Sequence, residues 1–417
     1  MDNPKIRFRK KSGEPYSDWQ GIRLNEIASR VTRKNTNNET DLPLTIASIE
    51  GLVDQRTYFG KTVASRDMSG YFLLHKGEYA YNKSYSAGYD YGSIKRLEKY
   101  DKGALSTLYI CFALNEEVDS DFYNCYFNSL NWYSEMPEIC AEGARNHGLL
   151  NVSASDFFNI SLTVPSDAEE QKKITEFLQV VDNLITSSEK EAAKLQELKR
   201  GCLQKMFPRE GESVPEVRFP GFTDAWEQRK LLDLLVQPVS DGPHETPDLV
   251  DDGIPFISVD AIVDNKIDFD RKRGYITEEY DLECRKKYSP QRDDVYLVKS
   301  GATVGKVAIV ETDERFNIWS PLAAMRTNKD LMLPKYLYFY LQLKDVQDEI
   351  YEKSIGGTQP NLSMRVLEKF DIKVPDIDEQ SKIVLALENL DNLITLHQRE
   401  CEKYKKLKKG LLQKMFI

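Results

Sequence analysis

The chain has no long hydrophobic run. Across its 417 residues, no apolar stretch approaches the ~18 residues that a membrane-spanning helix needs. The opening MDNPKIRFRKKSGEPY also lacks the apolar centre of a secretory signal, so a cytoplasmic protein is expected. Cysteine is sparse: Cys111, Cys125, Cys140, Cys202, Cys284 and Cys401 stand singly, with no Cys-x-x-Cys pair. Neither a disulfide framework nor a zinc ribbon is signalled, and reduced thiols are expected. His75, His147, His244 and His397 show no metal-ligand spacing, so no metal site is expected.

Catalytic motifs are missing too. A base methyltransferase needs a glycine-rich cofactor loop and an Asn/Asp-Pro-Pro-aromatic motif to hold the flipped base, and neither occurs. GATVGK at 301–306 has three residues between its glycines where a nucleotide-binding loop has four, and Val307 stands where Ser or Thr would bind magnesium. It reads instead as a tight turn placing Thr303 and Lys306 at a surface. Pro247 and Asp248 followed by Asp270-x-Lys272 mimic a nuclease pattern, but such matches arise readily in a chain with 30% charged residues, and two solvated loops are the expectation.

What is present is the balance of a folded protein of two or three domains, at one per ~150 residues. Net charge is −10, which argues against a protein that simply coats nucleic acid. The charge is uneven, however: residues 1–34 hold nine Lys or Arg against four acids, and 271–292 hold seven against four. Local basic surfaces on an acidic chain fit limited contact with DNA, the remaining surface serving other partners.

The strongest signal is a repeat. EQKKITEFLQVVDNLITSSEKEAAKLQELKRGCLQKMF (170–207) matches EQSKIVLALENLDNLITLHQRECEKYKKLKKGLLQKMF (379–416) without a gap, at 20 of 38 positions. The match extends upstream through NVSASDFFNISLTVP and NLSMRVLEKFDIKVP, and KIRFRKKSGEPYSDWQGIRL near the start is echoed by EVRFPGFTDAWEQRKL. The blocks between, 24–151 and 231–361, show little similarity. A repeated frame with varied inserts is a scaffold for two different readers.

Apolar spacing of three and four makes each shared segment a helix: Ile174, Phe177, Leu178, Val181, Leu184, Ile185, Ala192, Leu195 and Leu198 in the first, Ile383, Leu387, Leu390, Leu393, Ile394, Tyr404 and Leu407 in the second. Capping boxes Ser166-x-x-Glu169 and Asp376-x-x-Glu379 open them. Helices of this length are expected to pack on each other as a coiled coil. Gly201 and Gly410 mark either a break in both helices or a close backbone approach. TLYICFAL, GIPFISV, DDVYLV and KVAIV are short strands, so each varied block is read as an α/β domain with a strongly bent sheet.

Candidate DNA contacts lie in turn-forming loops rich in donors, because amide side chains pair bidentately with adenine and Arg or Lys with guanine. In the second block they are Asp241, His244 and Thr246 of SDGPHETP, Lys299, Ser300, Thr303 and Lys306 of KSGATVGK, and Thr358, Gln359, Asn361, Ser363 and Arg365 of GGTQPNLSMR. In the first block they are Lys83, Ser84 and Tyr85 of YNKSYSAG, with Arg145, Asn146, His147, Asn151 and Ser153 of GARNHGLLNVS. An ordinary turn role competes with base contact at each.

This layout resembles the specificity subunits of type I restriction-modification systems over the whole chain. The likeness rests on the tandem frame, the VPSDAEEQKKI and LDNLI helix openings, the LKRGCLQKMF and LKKGLLQKMF endings, and FTDAWEQRKL, DGPHETP, GIPFISV and GATVGK. It implies an α/β fold with a pseudo-two-fold internal repeat: target-recognition domains at 1–165 and 209–375, separated by two long antiparallel coiled-coil helices at 166–208 and 376–417. It further implies a non-catalytic chain that reads a bipartite, asymmetric site on double-stranded DNA. Two modification (methyltransferase) subunits and the restriction/translocase subunits would assemble on it. No cofactor belongs to this chain by that reading; S-adenosylmethionine, ATP and magnesium serve the partners. The first block departs from the family wording, with YNKSYSAGYDYG replacing its glycine turn, which weakens the site assignment there. The alternatives are a two-domain coiled-coil adaptor and a single-chain nuclease or methyltransferase.

Overall fold

The computed structural model describes residues 4–140, 150–354 and 359–416. The chain forms two compact units, Met1–Glu189 with Arg399–Ile417, and Lys190–Gln398.

In the first unit, strand Trp19–Arg23 pairs antiparallel with Ser161–Pro165 and closes off the first varied block. Inside the block a four-stranded antiparallel sheet runs in the spatial order Ala28–Arg30, Ile110–Leu114, Tyr79–Asn82, Ser93–Arg96. Alternation along Tyr79–Asn82 sends Tyr79 and Tyr81 into one core and Ala80 into a second, so the strand is buried on both faces. Helix Ser120–Ser129 opens where the Asp119 carboxylate accepts from the N–H groups of Asp121 and Phe122, and it packs Phe122, Tyr126 and Phe127 into the larger core.

The second unit repeats this plan. Glu227–Lys230 pairs with Asp371–Val374, and the four-stranded order is Ser240–Asp241, Leu322–Met325, Val295–Val298, Val307–Ile309. Val295 and Leu297 face one core while Tyr296 and Val298 face the other. The varied blocks, which share almost no sequence, therefore share a sheet. Periods of burial are preserved where residue identities are not.

The frame recurs atom for atom in several places. Arg7 grips the buried Glu170 carboxylate through two bonds of 2.7 and 3.0 Å. Arg218 grips buried Glu379 through 2.7 and 2.8 Å. The Tyr126 hydroxyl accepts from Thr163 N, and the Tyr340 hydroxyl from Lys373 N, both at 3.2 Å.

Two long helices, Ala168–Lys205 and Ile377–Met415, each start in one unit and end in the other. The first unit's core takes Ile174, Leu178 and Val181 from the start of the first helix. It also takes Leu411, Leu412, Met415 and Phe416 from the end of the second. The second unit's core takes Ile383, Val384 and Leu387 together with Met206 and Phe207. Phe416 lies 6.2 Å from Trp19 and 5.9 Å from Phe122, and Phe207 lies 6.0 Å from Trp226 and 5.5 Å from Tyr336, by ring centroids. The repeated LQKMF is thus one plug used twice, each copy filling the unit in which its helix did not begin. Where the helices meet inside the first unit, Asp182 pairs with Lys408 at 2.6 Å and Glu189 with Lys405 at 2.9 Å, an antiparallel progression. Inside the second unit Lys199 pairs with Asp391 at 2.7 Å.

Three local expectations change. The first helix is capped by Asp167, whose carboxylate accepts from Glu169 N at 3.0 Å, because the Ser166 hydroxyl instead donates to Asp18 O at 2.9 Å. The second keeps Asp376 as cap, accepting from Glu379 N at 2.8 Å, but the Glu379 carboxylate turns to Arg218 instead of back to the cap. Gly201 and Gly410 neither break the helices nor touch another backbone, since an added Cβ would meet nothing within 4 Å at either. Finally, Phe177, Leu184, Leu198, Leu393 and Leu407, assigned to the packed stripe, are exposed. The cores absorb only the ends of each helix, and the stripe between is wider than a helix pair can cover.

Candidate nucleic-acid interface

In the second unit the candidate loops converge on one end of the core. Strand Val295–Val298 runs out into Lys299, whose carbonyl accepts from Leu362 N at 2.7 Å and whose N–H donates to Pro321 O at 3.0 Å. Ser300 and Asn361 form an antiparallel bridge, and Gly301 N donates to Pro360 O at 3.0 Å. KSGATVGK and the PNLSMR stretch of the third loop are therefore neighbours. SDGPHETP joins them through Asp241. This fully buried carboxylate pairs with Lys287, with Lys299 at 3.3 Å and with His244 Nε2 at 3.1 Å, and it accepts from the Ser320 hydroxyl at 3.3 Å. Burial pushes the Asp241 carboxyl up, but the Lys287 and Lys299 ammonium groups outweigh it and hold it below the ordinary carboxylate range. Gly242 follows because nothing larger fits: a Cβ there would lie 1.9 Å from Ile318 O.

Asp241 and Lys299 are thereby corrected from base contacts to anchors, being buried and engaged with each other. They aim the groups that do reach the surface. His244, Thr246, Lys306, Gln359, Asn361, Ser363 and Arg365 are exposed, and Ser300 and Thr303 are half-buried. GATVGK is the turn of a β-hairpin between Val295–Val298 and Val307–Ile309, whereas a phosphate-cradling loop leads into a helix. Within it Lys306 N donates to Thr303 O at 3.2 Å, and Lys306 Nζ donates to Ile262 O at 3.2 Å. Thr358 lies outside the described residues.

The first unit brings its loops together in a comparable way, with Leu150 N donating to Lys83 O at 2.8 Å. This places Asn151 beside the loop of Lys83, Ser84 and Tyr85. Asn82 Oδ1 accepts from Ser84 N at 3.0 Å, and the Tyr85 ring is exposed. Ser153 is the cap of helix Ala154–Phe158, its hydroxyl accepting from Asp156 N at 3.1 Å, so its side chain has a structural task. Arg145, Asn146 and His147 lie outside the described residues.

Sequence reasoning missed two groups. Lys95 is buried in strand Ser93–Arg96 and donates to Asn128 Oδ1 at 2.6 Å; nothing in its sequence context marks it. Arg273 and Trp319 flank the His244 loop, and only the basic run 271–292 pointed there. Among the described residues no group of three or more His, Cys, Asp or Glu side chains could hold a metal ion, and no helix is long and apolar enough to cross a membrane.

A family model described as the type I restriction modification DNA specificity domain matches residues 16–200 and again 224–406. The type I restriction enzyme MjaVIII specificity subunit of Methanocaldococcus jannaschii is 24% identical over 319 residues, covering 75% of this chain and 73% of that protein. The putative MjaX specificity subunit of the same organism is 23% identical over 428 residues, covering 96% and 93%. In fold, the chain is similar to the crystal structure of a type-I restriction-modification system S subunit from M. genitalium. The TM-score is 0.56 at 14% identity, over 100% of this chain and 99% of that one. A chain from a structural study of complex assembly and conformational transition of the type I R-M system gives 0.55 at 19% identity, over 96% and 99%.

Proposed function

Since this chain belongs to the type I restriction-modification DNA specificity family, we propose that its two units each read one half of a split, asymmetric DNA site, and that catalysis stays with partner subunits. One observation carries the reading. The units repeat the same strand pair, Arg–Glu grip, aromatic plug and four-stranded sheet, yet, apart from the shared positions Asn151/Asn361 and Ser153/Ser363, the loops gathered at the end of each core differ in sequence. A frame built twice with different loops delivers two different readouts in the same manner.

The partners are two modification subunits, which bring S-adenosylmethionine and methylate adenine, and restriction/translocase subunits, which use ATP and magnesium. Two equivalent docking places support a pair of modification subunits. The first unit exposes Leu184 and Leu407, and the second exposes their repeat equivalents, Leu393 and Leu198. The same apolar pair offered twice fits two copies of one partner. An acidic chain of net charge −10 then needs only local basic loops, since partners meet the remaining phosphate charge.

Replacing residues 25–150 with the corresponding block of another family member tests the reading. Sequencing methylated adenines in cells carrying the hybrid should show one half-site changed and the other retained. Alteration of both halves would refute two independent readers.

A further inference from the structure

Three short strands form a sheet beside the His244 loop: Gly274–Ile276 antiparallel to Ile254–Ile257, which runs parallel to Asn317–Ile318. Arg273 immediately precedes the first of these strands and Trp319 immediately follows the last. Their backbone N–H groups donate to Phe256 O at 2.9 Å and Ile257 O at 2.8 Å, so both residues flank the central strand at the same end. The guanidinium carbon of Arg273 sits 3.9 Å from the centroid of the Trp319 ring. The indole is itself tethered. Its Nε1 donates to Glu245 O at 3.0 Å, and the next residue, Ser320, donates its backbone N–H to Pro243 O at 3.1 Å and its hydroxyl to buried Asp241.

The neighbouring cations are engaged: Arg271 pairs with Asp268 at 3.4 Å, and Lys272 stacks on Tyr275 and donates to Phe269 O. Arg273 is exposed and, among the described residues, makes no ion pair. An unpaired surface arginine ordinarily samples many rotamers. Stacking on a fixed indole removes that freedom, and it leaves the in-plane N–H fork open to an acceptor. Two nucleic-acid groups present such an acceptor pair, a phosphate and the O6/N7 edge of guanine. The surroundings decide between them. Glu245 meets the indole through its backbone carbonyl while its carboxylate accepts from the Tyr280 hydroxyl at 3.5 Å, so the ring itself sets the choice: a guanidinium held in one plane suits the directional O6/N7 edge of guanine, whereas a phosphate is met as well by a mobile charge. A donor fork fixed on a tethered ring thus matches the O6/N7 edge of guanine.

We propose that Arg273, held flat on Trp319, reads a guanine of the second unit's half-site from the major groove. The inference rests on the reading of this chain as a DNA specificity subunit. It is tested in the assembled complex with modification subunits, on duplexes in which each base pair of the methylated site is replaced in turn. Arg273→Ala should weaken binding to the native site by roughly 5- to 150-fold and abolish discrimination at one G·C position of the second half-site. Discrimination throughout the first half-site should stay intact. Arg273→Lys keeps the charge but lacks the fork, and it should relax the same position. Trp319→Ala should do so in part, with thermal melting of each variant unchanged from wild type. Uniform weakening on every duplex, with the slope of log affinity against log salt falling by about one, would identify a phosphate contact and overturn the proposal, as would unchanged affinity and selectivity. A wild-type complex with no site preference would instead overturn the underlying reading of the chain, and this inference with it.

Discussion

Lys95 is the least comfortable residue in the first unit. Its ammonium group is buried, has Asn128 Oδ1 as acceptor, lies 5.5 Å from the centre of the Tyr89 ring, and makes no ion pair among the described residues. Burial, and then repulsion from Lys408, push it down to about 8 against the pull of Glu98 and Glu50. Because the folded value lies below the unfolded one of about 10.4, the native state binds fewer protons between these limits. Stability from this group therefore rises with pH across that window, and the penalty is fully present below about pH 8. Lys95→Met should stabilise the first unit at pH 7 by at most about 3 kcal/mol, less about 1 kcal/mol for the lost hydrogen bond. The advantage should shrink toward pH 10. Urea unfolding followed through buried Trp132 at several pH values checks it. The Arg218–Glu379 grip works in the opposite sense. Removing the arginine leaves a buried carboxylate to which, among the described residues, only Trp226 Nε1, at 3.2 Å, still donates from a side chain. Arg218→Ala should cost about 3–5 kcal/mol. Arg218→Lys should recover only part of that, because an ammonium cannot form the two-bond fork; denaturant titration of both variants decides it.

At the scale of the element, the long helices are shared property. The end of the helix Ala168–Lys205 delivers Phe207 to the second unit, and the end of Ile377–Met415 delivers Phe416 to the first. Phe416→Ala should therefore loosen the first unit and Phe207→Ala the second, each by about 3–5 kcal/mol. Sequence proximity argues for the reverse assignment. Amide hydrogen exchange resolved by peptide distinguishes them: loss of protection around Tyr79 and Phe122 in Phe416→Ala, and around Tyr336 and Leu337 in Phe207→Ala. Loss in the wrong unit would show that the plugs do not act where they sit.

For the molecule as a whole, the exchange of plugs bears on what half a chain can do. Residues 1–208 contain the first unit's sheet and the start of its helix, but they lack Met415 and Phe416 and carry Met206 and Phe207 without a socket. Twenty identities in 38 make the available plug a near-copy of the missing one. Two such half-chains should pair by a two-fold axis, each plugging the other. With modification subunits the pair should methylate a palindrome built from the first half-site. A half-chain that stays folded and monomeric at all concentrations in analytical ultracentrifugation would contradict this. The repeat, the two helices, the strands of GIPFISV, DDVYLV and KVAIV, and the loops worth searching were all legible in the sequence, because periodicity and turn chemistry are local properties. The common sheet of two dissimilar blocks was not, nor the crossing of LQKMF into the other unit's core. The burial of Asp241 and Lys299 and the stacking of Arg273 on Trp319, 46 positions apart in number, were equally hidden. Each of these depends on which distant segments the fold brings side by side. A residue type shows what a group can do, and only its three-dimensional neighbours decide whether it anchors a loop or meets a partner.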